Sequence, residues 1–132
     1  MNPVLAVVPD LFFATKITAV AKTVGVEVGI VPLPLLFERC AAAPPPLVLL
    51  DLHAPGDPPA VVRALKADAR TSAVPVIGFY SHVRVDLRSD ALGAGIDEAL
   101  PRSAFVKRLP GLLAGTDPHD ATRRAARRAA DA

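Results

Sequence analysis

The sequence predicts an α/β domain: a five-stranded parallel sheet, strand order 2-1-3-4-5, held between two layers of helices as a three-layer sandwich. Three observations carry this. Short apolar runs alternate with runs of helical period along the chain. The short runs are apolar throughout rather than at every second residue, as strands covered on both faces are. No tight glycine turn joins one strand directly to the next, so each crosses over through a helix, in the right-handed sense.

Each element has its own signal. Val4–Val8 is rich in β-branched residues and reads as the first strand. Asp10 supplies a carboxylate to cap the following helix, in which Phe13, Ile17, Val20 and Val24 recur at helical spacing before Gly25 closes it. Val26–Val31 reads as a second strand ended by Pro32 and Pro34, and Leu35–Ala43 as a short helix stopped by Pro44-Pro45-Pro46. Leu47–Leu50 with Asp51 forms the third strand, followed by a turn at Ala54-Pro55-Gly56. Asp57 caps a helix with Pro58 and Pro59 in its first turn, where a missing N–H costs nothing, and Val62, Leu65 and Ala69 face inward. Val76–Tyr80 is the fourth strand, Leu87–Ala94 a fourth helix ended by Gly95, and Ile96–Leu100 the fifth strand. Ser103 is the expected cap of a last helix whose inner face is Phe105, Leu109, Leu112 and Leu113, bent by Pro110.

Composition narrows the function. At 132 residues, 52% hydrophobic and 21% charged, the chain suits one folded domain. A single cysteine, Cys40, can build neither a disulfide framework nor a thiolate metal site. No apolar run approaches the roughly 18–20 residues that span a bilayer, and Met1-Asn2-Pro3 lacks the basic start of a signal peptide, so a cytoplasmic location without membrane contact is expected. Lys and Arg number 15 against 13 Asp and Glu. Residues 1–115, the expected domain, hold 11 bases and 10 acids. The remaining four bases, Arg123, Arg124, Arg127 and Arg128, fall in a basic Arg/Ala tail, residues 116–132, in which Asp117 or Asp120 could cap a helix. A near-neutral globule does not suit nucleic acid; only the tail offers that route.

In a sheet of this order, ligands sit beyond the carboxyl ends of the strands, near the switch between strands 1 and 3. The residues there are Pro9 and Asp10, Asp51 and His53, Tyr80, Ser81 and His82, and Pro101 and Arg102. Two of these runs, with a third, carry a resemblance. Leu47-Val48-Leu49-Leu50-Asp51-Leu52 with Pro55-Gly56, then Val74-Pro75-Val76-Ile77, then Ala94-Gly95-Ile96-Asp97-Glu98-Ala99-Leu100 resemble the third, fourth and fifth strand regions of two-component response-regulator receiver domains, flavodoxin-like in fold. The resemblance covers about residues 3–114.

The resemblance implies that Asp51 matches the carboxylate that accepts a phosphoryl group from a sensor kinase. That chemistry also needs Mg²⁺, a hydroxyl and a lysine to neutralise phosphoryl oxygens. By the same correspondence, the family's acidic pair falls on Val8 and Pro9, its hydroxyl on Tyr80, its lysine on Arg102, the proline after that on Ser103, and its switch aromatic on Ala99. The implied member is therefore degenerate, a pseudo-receiver. Asp51 is the phosphoacceptor candidate; Asp10, Tyr80, Ser81 and Arg102 are candidate helpers. Asp51 is otherwise expected to pair with Arg102 or a helix N-terminus.

Other site chemistries find less support. Asp10, Asp51 and the backbone of His53 are weak metal candidates, and His53 with His82 carries no ligand spacing, so no metal site is expected. Ser81, His82 and Asp51 lack a nucleophile elbow, and the single-glycine turn cradles no phosphate, so no enzyme and no cofactor are expected. Three readings follow. The first is a stand-alone signalling module acting without phosphorylation through a protein partner, including a second copy on the face of helix 4, strand 5 and helix 5, where Val106, Leu109 and Leu112 are contact candidates. The second is a working receiver in a phosphorelay, with Mg²⁺ and a sensor kinase, phosphorylated at Asp51. The third is a nucleic-acid-associated protein using the arginine tail.

Overall fold

A computed structural model describes residues 2–81 and 83–117. The chain order is β1 (Val4–Val7), α1 (Leu11–Val24), β2 (Val28–Ile30), α2 (Leu33–Ala42), β3 (Val48–Asp51), α3 (Pro58–Ala67), β4 (Val76–Tyr80), α4 (Val85–Gly93), β5 (Glu98–Pro101) and α5 (Arg102–Ala114). The five strands form one parallel sheet in the order β2-β1-β3-β4-β5, as the alternating runs predict.

The pleat divides the core in two. Val4, Ala6, Val8, Leu47, Leu49, Ile77 and Phe79 pack with Phe13 and Ile17 of α1 and Phe105 and Leu109 of α5. Leu5, Val7, Val48, Leu50, Val76 and Tyr80 pack with Leu36 and Cys40 of α2, Val62 and Leu65 of α3, and Ala91 of α4. Successive residues of a strand serve opposite faces, so an uninterrupted apolar run is what a sheet covered on both sides requires. Each large side chain buried this way contributes about 1.5–3 kcal/mol.

The helix starts and stops show where local signals decide. Asp10 accepts from the backbone N–H groups of Phe12 at 2.9 Å and Phe13 at 3.3 Å, and Gly25 ends α1 with φ of 76°. Asp57 accepts from Ala60 N–H at 3.1 Å at the start of α3. The expected Ser103 cap is not formed. Helix α5 already begins at Arg102, follows Pro101, and has no side-chain cap. Helix α2 starts at Leu33 rather than Leu35, because Pro34 falls in the first turn, where its missing N–H has no partner to lose. Helix α3 ends at Ala67, which leaves Ala69 exposed rather than inward-facing. Helix α5 continues through Pro110, whose ring is on the exposed side.

Three tertiary contacts fix the β4–β5 side. Asp97 accepts from Val76 N–H at 2.7 Å and from Lys66 Nζ at 2.8 Å, tying the end of α3 to the starts of β4 and β5. Gly78 lies under Leu52 and Ile96 so closely that an added Cβ would meet Ile96 Cδ1 at 2.8 Å. Arg108 of α5 binds Glu98 through both terminal nitrogens and also binds Asp117 twice, all at 2.9–3.0 Å. Asp117, just beyond the expected limit of 115, is 7% exposed and packs with the domain. The arginines of the tail and Asp120 lie outside the described residues, as does His82. No helix among the described residues is long and apolar enough to cross a membrane.

Candidate functional site

The carboxyl edge of the sheet brings the ends of β1, β3, β4 and β5 side by side, with Asp51 in register beside Phe79, and Tyr80 beside Pro101. Asp51 is 5% exposed. Its Oδ1 accepts from the backbone N–H of His53 at 2.9 Å, while its carbonyl accepts from Ala54 N–H at 3.0 Å. Asp51 is thus the first residue of an Asx turn that carries the chain off the strand. Among the described residues it makes no ion pair, and the expected pairing with Arg102 does not form.

Arg102 is committed elsewhere. Its guanidinium carbon lies 4.4 Å from the centroid of the Phe13 ring and 5.7 Å from that of Phe79. Those rings belong to a triad in which Phe79 stacks on Phe105 at 4.5 Å and tilts against Phe13 at 5.1 Å. A planar cation over ring faces is attracted by their quadrupoles, and an arginine stacks where a lysine would not.

The expected helpers separate. Tyr80, 5% exposed, packs its ring into the core beneath α2, α3 and α4. Ser81, on the next pleat, instead lines a cleft of about 410 Å³ with His53, Arg102 and Ser103. The cleft is held by a contact that no spacing predicts: the backbone N–H of Ser81 donates to His53 Nε2 at 2.9 Å. This bond clasps the loop after β3 to the loop after β4. Only knowledge of the register between β3 and β4 could have located it. Asp10 does not reach the cleft, being spent on the cap of α1.

Next to Asp10, the end of β1 is apolar. Val8 is 4% exposed and packs in the core. Val7, Val8, Pro9, Leu11 and Ala14 join Ile30, Val31, Pro32, Leu33, Pro34, Ala54 and Pro55 around a groove of about 630 Å³. None of the twelve carries a charged or polar side chain. A magnesium ion, the metal that the receiver resemblance implies, takes hard oxygen ligands in octahedral array. At the end of β1, beside β3, Val8 and Pro9 bring no carboxylate toward Asp51, and Asp10 is used as the cap of α1. The residues present do not fit the ion. Nor do any three His, Cys, Asp or Glu side chains converge elsewhere among the described residues.

No protein-family model matches the sequence, and no curated protein matches it. Solved structures do match. The receiver domain of a sensor histidine kinase from Pseudomonas aeruginosa, with a magnesium ion coordinated in its active-site cleft, has a TM-score of 0.73 and 21% identity, covering 86% of this chain and 98% of that one. The beryllofluoride-activated NtrC4 receiver domain dimer has a TM-score of 0.73 and 20% identity, covering 91% and 99%. The signal receiver domain of a histidine kinase from Syntrophus aciditrophicus has a TM-score of 0.72 and 18% identity, covering 89% and 94%. These likenesses, together with the 2-1-3-4-5 sheet and its five helices, establish the fold: the chain is built as the flavodoxin-like receiver domain of a response regulator is built.

Proposed function

We propose that this chain is a signalling module of receiver fold that works through protein–protein contact, without turnover and without phosphorylation at Asp51. The observation that carries the reading is the apolar groove at the end of β1, where phosphoryl chemistry on this scaffold needs carboxylates. Attack by a carboxylate on phosphorus brings negative oxygens together, and positioned positive charge must stabilise them. Here Asp51 is nearly buried and turned into its own loop. The cation expected beside it rests on Phe13 and Phe79. Ser81 and His53 are joined to each other across the cleft.

What remains is a scaffold whose loops after β3 and β4 are clasped to each other, suited to presenting a surface to a partner. Two of the contact residues first suggested on the face of α4, β5 and α5 are not available to a partner. Leu109 and Leu112 are 0% and 5% exposed, in the core between α5 and the sheet, and Val106 is only partly buried against them. The test is incubation with acetyl phosphate and Mg²⁺ followed by intact mass measurement. The reading predicts no phosphoryl adduct. A stoichiometric adduct that disappears in Asp51→Asn would establish the working receiver in its place.

A further inference from the structure

The carboxyl edge of the sheet opens where its connections part. The chain leaves β1 for the α1–α5 layer, but leaves β2 and β3, which flank it, for the α2–α3 layer. The apolar groove of about 630 Å³ lies at this parting. Its floor is buried core, with Val7, Val8, Val31 and Leu33. Its exposed rim holds four prolines, Pro9, Pro32, Pro34 and Pro55, together with Leu11 and Ile30.

We infer that this groove is a binding site for a small, uncharged, apolar molecule. Place, size, chemistry and stiffness each support that occupant. Sheets of this order receive their small ligands beyond the carboxyl ends of the strands, where neighbouring connections turn to opposite faces. The volume falls within the roughly 300–1,000 Å³ typical of small-molecule pockets. The lining carries no charged or polar side chain, and its backbone has few donors to spare. The four prolines have no N–H, while those of Ala14, Val31 and Ala54 donate to the carbonyls of Asp10, Ala6 and Asp51 at 2.9, 2.9 and 3.0 Å. A charged ligand would lose its hydration here without replacement, so the lining selects an uncharged one. The walls are also set before binding. Each rim proline holds φ near about −65°. Gly56, with φ of 107°, brings the loop after β3 onto α2, where an added Cβ would meet Leu33 Cδ2 at 3.3 Å. Little ordering is then left to oppose binding. Asp51 is not among the lining residues, so a phosphoryl group there would leave the site standing.

The test uses N-phenyl-1-naphthylamine, an uncharged dye that fluoresces in apolar surroundings. With the dye at about 1 µM and the full chain raised to about 1 mM, saturable binding is expected with a dissociation constant on the order of 10–100 µM. Leu11→Glu places a carboxylate on the groove wall, at a 77% exposed position in the first turn of α1 that tolerates negative charge. It is expected to weaken the dye about tenfold or more. Ile30→Glu, at a 45% exposed wall position, is expected to do the same and reads the groove again should Leu11→Glu fold poorly. Phe12→Ser is the control, because Phe12 is 90% exposed and outside the lining; it is expected to leave the affinity unchanged. The uncharged 1-naphthalenemethanol is expected to displace the dye, and 1-naphthoate is not. No saturable signal overturns the proposal, as does a signal lost in Phe12→Ser but kept in both groove variants. Equal displacement by the naphthoate overturns the uncharged class. A dimer in sedimentation equilibrium that excludes the dye overturns the proposal in favour of a second copy in the groove.

Discussion

Replacing Arg102 tests whether its charge is held by the aromatic rings or is free for a ligand beside Asp51. The guanidinium lies 4.4 Å from the Phe13 centroid and 5.7 Å from that of Phe79, and the residue is exposed on its outer side. A cation over a ring at a partly exposed site is worth about 1 kcal/mol, and the aliphatic stem adds some packing. Arg102→Ala should therefore cost about 1 kcal/mol. With a urea slope of about 1–3 kcal/mol per molar, the midpoint should fall by about half a molar, measured by far-UV circular dichroism. Arg102→Lys should recover only part of this, because an ammonium keeps the charge but not the planar stacking. Arg102→Ala with an unchanged midpoint would refute the reasoning: it would mean that the guanidinium leaves the rings in solution and is available to an anion at Asp51.

Three further outcomes follow from the contacts. Asp51→Asn keeps an oxygen to accept from His53 N–H, so its stability should stay within about 0.5 kcal/mol of wild type or rise, while Asp51→Ala loses the turn and should cost about 1 kcal/mol; equal losses in thermal melts would contradict the Asx role. Arg108→Ala removes a guanidinium that binds Glu98 and Asp117 together, with Asp117 nearly buried, and should cost about 3 kcal/mol in the same titration; a loss under 1 kcal/mol would show these to be weak surface pairs. Burial pushes the Cys40 thiol up to about 11 from the usual 9.0. The unfolded thiol ionises first, so this contribution to stability is complete below pH 9 and is lost as pH rises toward 11. A disulfide reagent near pH 8 should accordingly label Cys40 no faster than the chain opens; rapid labelling of the folded protein would contradict the burial.

The strands were legible because burial on both faces leaves an unbroken apolar run, and Val76–Tyr80 is found where the sequence places it. Caps were legible where a short polar side chain bonds its own backbone, as at Asp10 and Asp57. They misled where the signal was ambiguous. Ser103 has the chemistry of a cap, but Pro101 sets the extended backbone one step earlier and α5 starts at Arg102. Strand β2 is shorter than its apolar run because an edge strand pairs on one side only.

The candidate site divides in the same way. That Val8 and Pro9 cannot ligate a hard cation follows from residue type alone. The clasp from Ser81 to His53, the seat of Arg102 on Phe13, and the union of β1, β2 and the loop after β3 into one groove all join residues far apart in sequence. Such contacts depend on strand register and helix rotation, which composition and spacing do not encode. The same holds for Leu109 and Leu112. Helical spacing gives a face but not the side of the helix on which the sheet lies, and Leu109 and Leu112 turn out to lie on the sheet side of α5.

The central claim is that this receiver fold does not take a phosphoryl group at Asp51. Intact mass spectrometry after incubation with acetyl phosphate and Mg²⁺ tests it most directly, with Asp51→Asn in parallel. The account predicts a single unmodified species for both proteins. One added phosphoryl group on the wild type, absent from Asp51→Asn, would contradict it.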